Sequence, residues 1–114
     1  MAFAFLLDPA GFAVRLYETG TDLLDRLPRA AAGCVLTDIC MPGIDGLEMI
    51  RRYRRTPTTE RVPVIVISAS SSEEQKTTAF LVGADDFLTK DAGHVELLAR
   101  LRYHAGRYLS LKRE

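Results

Sequence analysis

Val62-Pro-Val-Ile-Val-Ile-Ser68 is an apolar, largely β-branched run with no polar residue until its end. A strand with one wetted face alternates apolar and polar side chains. A run without alternation belongs to a strand buried on both faces, as in a parallel sheet covered by helices. Working outward, shorter runs of the same kind are Phe12–Tyr17, Cys34–Asp38 and Asp86–Thr89. Helical patterns lie between them. Thr21–Leu27 carries Leu23, Leu24 and Leu27 on one face. Asp45-Gly-Leu-Glu48 reads as a capping box opening a helix with Leu47, Ile50 and Tyr53, which stops near Thr56 because Pro57 disfavours helical geometry before it. Ser72-Glu-Glu-Gln75 starts another helix, with Ala79, Phe80 and Val82 inward and Gly83 as a left-handed cap. A last helix, Gly93 to Leu111, turns Val95, Leu98, Leu101, Ala105 and Leu109 inward at spacings of three and four. Strand and helix alternate, so the class is α/β with helices on both faces of a parallel sheet.

The chain of 114 residues is the length of one domain. Its 15 basic and 15 acidic residues balance, which argues against binding nucleic acid or an anionic membrane as the function of the whole chain. Apolar runs fall well short of the ~20 residues a membrane span needs. The start has neither a basic segment nor a cleavage site, so no signal peptide is read. Cys34 and Cys40 have no histidines at metal-ligand spacing, which sets aside a disulfide framework or zinc site and fits a reducing cytoplasm.

In open α/β sheets the chemistry gathers at the carboxyl ends of the strands. Cys34–Asp38 ends in a carboxylate, Val62–Ser68 in a hydroxyl, and Asp86–Thr89 runs into Lys90. Each alone has a plain structural reading, a strand-end aspartate being a common turn cap. Together they suit phosphoryl transfer: the carboxylate attacks phosphorus, the ammonium and hydroxyl hold the equatorial oxygens, and a divalent metal takes the remaining charge. Pro42 and Gly43 make a tight loop after Asp38.

These residues resemble the receiver domain of two-component response regulators. The resemblance rests on Asp38 followed by Met41-Pro42-Gly43 and Asp45-Gly46, on the thirty residues from Asp38 to Ser68 and twenty-two more to Lys90, and on Gly83-Ala84-Asp85-Asp86-Phe87 before the last strand. It implies a flavodoxin-like three-layer fold in one domain, residues 1–114. Asp38 would be the phosphoacceptor, with Lys90 binding the phosphoryl group. Ser68 would be the switch hydroxyl and Phe87 the switch aromatic, although Phe87 also reads as ordinary core. Asp38 and the Cys40 backbone carbonyl would bind Mg²⁺. The donor would be a histidine kinase, and the chain would be no enzyme beyond self-catalysed transfer to its own aspartate. The stretch Leu97–Leu109 is similar to receivers attached to diguanylate cyclases.

The chain departs from the family at its start. Receivers begin with a strand ending in an acidic pair that holds Mg²⁺, and counting back from Asp38 that place falls before Met1. Met1–Asp8 therefore reads as the remnant of the first helix, with the first strand missing. Ala2–Leu7 as a strand, with Asp8 as the acid, is the competing reading. Only Pro9, Ala10 and Gly11 precede the next strand, so within one chain it could form only an antiparallel hairpin. A strand exchanged with a second copy is a further alternative. In the sheet order 2-1-3-4-5 a missing first strand leaves two unpaired edges, from which a homodimer is expected. Asp38 and one carbonyl make a poor Mg²⁺ site, so metal binding is expected to be weak or absent. Asp91 stands where receivers usually have proline.

Three rivals compete. A receiver-shaped dimerisation module that never carries phosphate is the first. A haloacid-dehalogenase-like phosphatase would need an aspartate where Cys40 stands. DNA binding through Arg51–Arg55 or Arg100, Arg102 and Arg107 competes poorly with a solvated helix face.

Overall fold

The computed structural model describes residues 2–8, 11–17, 23, 25, 32–39, 46–56, 60–69 and 72–112. They form β1 (Ala2–Asp8), β2 (Gly11–Tyr17), β3 (Ala32–Asp38), α1 (Gly46–Arg55), β4 (Val64–Ser68), α2 (Glu73–Val82), β5 (Asp86–Thr89) and α3 (His94–Lys112). The sheet order is β2-β1-β3-β4-β5.

β3, β4 and β5 pair in parallel, Asp38 beside Ile67 and Ser68 beside Thr89. Alternate residues of these strands enter two cores. Val35, Val64, Val66 and Phe87 pack with Met49, Ile50 and Tyr53 of α1 and Ala79 of α2. Cys34, Leu36, Ile65 and Leu88 pack with Leu101 and Ala105 of α3. The sheet is buried on both faces, as the unbroken Val62–Ser68 run requires.

The chain's start corrects the expected missing strand. Ala2–Asp8 is neither absent from the sheet nor a helix remnant. It is a strand in the central place, antiparallel to β2 from Ala2 opposite Tyr17 to Asp8 opposite Gly11. It is also antiparallel to β3, from Ala2 opposite Thr37 to Leu6 opposite Ala32, with a slip between Phe5 and Leu6 that leaves Gly33 as an extra residue. A two-residue connection permits only this hairpin geometry. The four other strands run one way and β1 alone runs the other. Because β1 pairs on both sides, the unpaired edges from which a homodimer was expected are filled within the chain.

Of Thr21–Leu27, only Leu23 and Asp25 are described; both are helical, and Leu23 is buried. The predicted capping residue Asp45 lies outside the described residues. Ser72 caps α2, its Oγ accepting the Gln75 amide at 3.4 Å, and Gly83 ends the helix in the left-handed region at φ 119°. Two expected core stripes are wrong in part. Ala79 is buried but Phe80 is 43% exposed; on α3, Leu101 and Ala105 are buried whereas Val95 (82%) and Leu98 (50%) face out. The buried stripe of α3 is Leu97, Leu101 and Ala105, at spacings of four, so Val95 and Leu98 lie around the helix from it; α2 buries Ala79 alone. No helix among the described residues is long and apolar enough to cross a membrane.

Candidate functional site

The parallel register puts the ends of β3, β4 and β5 side by side on one edge. Asp38 ends β3, half-buried, and Lys90 follows β5, exposed. Lys90 Nζ stands 3.2 Å from Asp38 Oδ1, and its amide donates to the Ser68 carbonyl at 2.8 Å, which continues the ladder past β5. Asp38 and Lys90 line a cleft of about 340 Å³ together with Ile67, Leu88, Thr89, Ala92 and Leu97. Asp38 is the only acidic side chain among the described residues of that lining.

Glycine at 46 has a reason in this geometry. α1 begins against the end of β3, with the Gly46 amide donating to the Ile39 carbonyl at 2.6 Å. A Cβ at 46 would stand 2.3 Å from the Asp38 carbonyl oxygen, which is backbone and has little room to yield. Glycine at 46 thus lets the helix start close beneath the acid.

Ser68 ends β4 on the same edge and is buried, but its hydroxyl lies against α2, where it donates to Gln75 Oε1 at 3.1 Å. Phe87 is 8% exposed and belongs to the core shared with α1 and α2. Cys40 lies outside the described residues, as do Met41, Pro42 and Gly43. Asp91, at the position of the family's proline, accepts the Thr89 hydroxyl.

Mg²⁺ takes near-octahedral oxygens with one or two carboxylates. Strand direction decides what β1 can add. Ala2, not Asp8, lies beside the end of β3, and Asp8 is carried to the opposite edge, roughly 20 Å along the strand. Asp8 is therefore not the acid that the strand reading would have supplied. Among the described residues no three His, Cys, Asp or Glu side chains gather for a metal. The described residues do not fit a resident Mg²⁺.

Two arrangements escaped sequence reasoning. Arg54 looks like one cation in Arg51-Arg-Tyr-Arg-Arg55, but it is a staple at the opposite edge from Asp38. Its guanidinium donates to the carbonyls of Gly83 (2.8 and 3.0 Å), Glu60 (2.8 Å) and Val62 (2.9 Å) and to Asp85 Oδ2 (2.6 Å). Asp85 Oδ2 also accepts the Val64 amide at 2.8 Å, so α1, the start of β4 and the turn into β5 are tied together. The available signal was Gly83-Ala84-Asp85, an acid beside a turn. The second arrangement is Asp86, buried at the start of β5. It meets His104 Nε2 at 3.0 Å and Arg100 Nη1 at 3.0 Å, both from α3. Burial works to raise its carboxyl, but the His104, Phe87-amide and Arg100 hydrogen bonds outweigh burial and hold it below its ordinary value. Arg100 is thus spoken for by Asp86 and Glu96, which counts against a free basic face on α3. Burial, with Asp85 and Asp86 nearby, pushes the Cys34 thiol up to about 12, so it is no nucleophile.

The model of the response regulator receiver domain matches residues 1–102. The chain belongs to this family. The uncharacterized transcriptional regulatory protein YkoG of Bacillus subtilis (strain 168) is 38% identical over 96 residues, covering 84% of this chain and 41% of YkoG. The phosphate regulon transcriptional regulatory protein PhoB of Rhizobium meliloti (strain 1021) is 33% identical over 96 residues, 84% of this chain and 42% of PhoB. This receiver spans about two-fifths of the length of these curated relatives. Among solved structures, the BeF3-activated N-terminal receiver domain of Klebsiella pneumoniae RstA superposes with a TM-score of 0.72 at 27% identity, covering 80% of this chain and 75% of that one. The flavodoxin-like class expected from the sequence holds, with β1 reversed.

Proposed function

We propose that this receiver accepts a phosphoryl group from a phosphohistidine of a histidine kinase onto Asp38 and signals by the rearrangement that follows. The observation that carries the reading is the Lys90 ammonium 3.2 Å from the Asp38 carboxylate in a cleft open at the strand ends. An Asp38 carboxylate oxygen attacks phosphorus, an O–P bond forms, and the N–P bond to the kinase histidine breaks, its electron pair returning to the imidazole. Lys90 then exchanges part of its pairing with Asp38 for the phosphoryl oxygens, where the charge has moved. Ser68 supplies a hydroxyl to one of those oxygens, and Phe87 is the aromatic neighbour on β5 that responds. The curated relatives are transcriptional regulatory proteins, which supports a transcriptional output in a parent protein over the diguanylate cyclase suggested by the last helix. The chain is a phosphoryl acceptor in the cytoplasm, not a turnover enzyme.

Intact-mass measurement after incubation with a small phosphodonor tests this. Wild type gains one phosphoryl group and Asp38→Asn gains none, because the amide is a far weaker nucleophile. Phosphate retained on Asp38→Asn would sink the assignment. Lys90→Ala should lose phosphorylation while changing stability by less than ~1 kcal/mol, since the pair it breaks is substantially exposed.

A further inference from the structure

Ser68 is held by a residue that the phosphoryl chemistry does not use. Its Oγ donates to Gln75 Oε1 across 3.1 Å, from the buried end of β4 to the first turn of α2. A hydroxyl has a single hydrogen to donate. The Gln75 carbonyl oxygen and a phosphoryl oxygen are both acceptors, so they compete for that one hydrogen. We infer that Gln75 is a positioning residue, a latch that holds the Ser68 hydroxyl off the phosphoryl site and couples its release to the start of α2. The inference rests on the phosphoacceptor reading above and adds to it a residue that holds the resting Ser68 hydroxyl.

The packing of α2 suits an element with a releasable end. Ala79 is the only one of its residues that is fully buried, while Phe80 and Leu81 face out. Its far end is fixed: Gly83 caps it, and Arg54 donates twice to the Gly83 carbonyl. Its near end is tied to the sheet edge through the Ser68–Gln75 bond, in the same turn where Ser72 caps the Gln75 amide. Engagement of Ser68 by a phosphoryl group therefore frees Gln75 at one end of a helix anchored at the other. Gln75 is half-buried and belongs to neither core cluster, so its replacement does not open the core.

The test is a double-mutant cycle with acetyl phosphate as donor at fixed Mg²⁺ concentration. Its readout is the donor concentration that half-phosphorylates the chain, with thermal melting alongside. Gln75→Leu removes the acceptor and should lower that concentration roughly two- to tenfold, the equivalent of one neutral hydrogen bond. Gln75→Glu offers a charged, stronger acceptor and should raise it. Both shifts should vanish in a Ser68→Ala background, which a merely structural effect on α2 would not do. Gln75→Met, of similar length, stands in if Gln75→Leu does not fold. Shifts that persist without the Ser68 hydroxyl, or no shift in a wild type that does accept phosphate, overturn the latch alone. A wild type that accepts no phosphoryl group overturns the function and the latch together.

Discussion

The two halves of the sheet solve the same backbone problem and contribute unequally to the candidate site. In β3, β4 and β5 the strands run parallel, and their ends deliver Asp38, Ser68 and Lys90 to one edge. In the β2–β1 half β1 is paired on both sides, with one slip against β3, but it runs backwards and takes Asp8 to the other edge. Backbone N–H and C=O groups are satisfied by either direction. A functional edge is not, because direction decides which end of a strand, and so which side chain, arrives there. A sheet can be complete while its site gains nothing from the strand that completes it.

The largest expected effect tests whether β1 is a central strand. Ala4 lies opposite Arg15 on one side and Val35 on the other. Ala4→Pro removes a ladder donor there and should cost about 3 kcal/mol or more, read by denaturant unfolding. A change below ~0.5 kcal/mol would place residues 2–8 outside the sheet.

Next comes the staple that holds the parallel half together at the edge away from Asp38. Arg54→Ala gives up every guanidinium bond to Gly83, Glu60, Val62 and Asp85 and leaves carbonyls partly unpaired; a loss of about 2 kcal/mol is expected. Arg54→Lys should recover less than half, since a point charge cannot span four acceptors. Full rescue by lysine would show that charge alone matters there.

A smaller effect is specific to the β5–α3 contact. The Asp86 carboxyl is held below its ordinary value, so its contribution to stability is present above the unfolded-state pKa of ~3.9. That contribution is lost as pH falls through the lower folded value, when the carboxylate is protonated and releases Arg100 and His104. Asp86→Asn should therefore flatten the acid limb of stability against pH while leaving the β1–β2 half unaffected. An unchanged acid limb would mean that other carboxylates carry it.

Much of the parallel half is legible in the residues. The unbroken Val62–Ser68 run reports burial on both faces, Ser72 and Gly83 mark the ends of α2, and the polar strand ends mark the edge. What is not legible at β1 is that Ala2–Asp8 is a strand at all, because a short apolar run also fits a helix remnant; once it is a strand, the short Pro9-Ala10 connection dictates a hairpin and so its direction. Arg54 is hidden because a run of arginines on a helix looks solvated until the tertiary fold brings Gly83 and Asp85 beside it. Gln75 is hidden for a related reason: its role lies in a bond to Ser68, seven residues away, and in no pattern of its own helix.

The most direct test of the account is where the phosphoryl group sits. After transfer from a phosphohistidine donor, fragment mass spectrometry of the protein should place it on the segment ending β3, at Asp38, and nowhere else. Phosphate at Asp8, Asp45 or Asp91, or a chain that remains unmodified while a receiver control is phosphorylated, would contradict the claim that the edge of the parallel half is the working site.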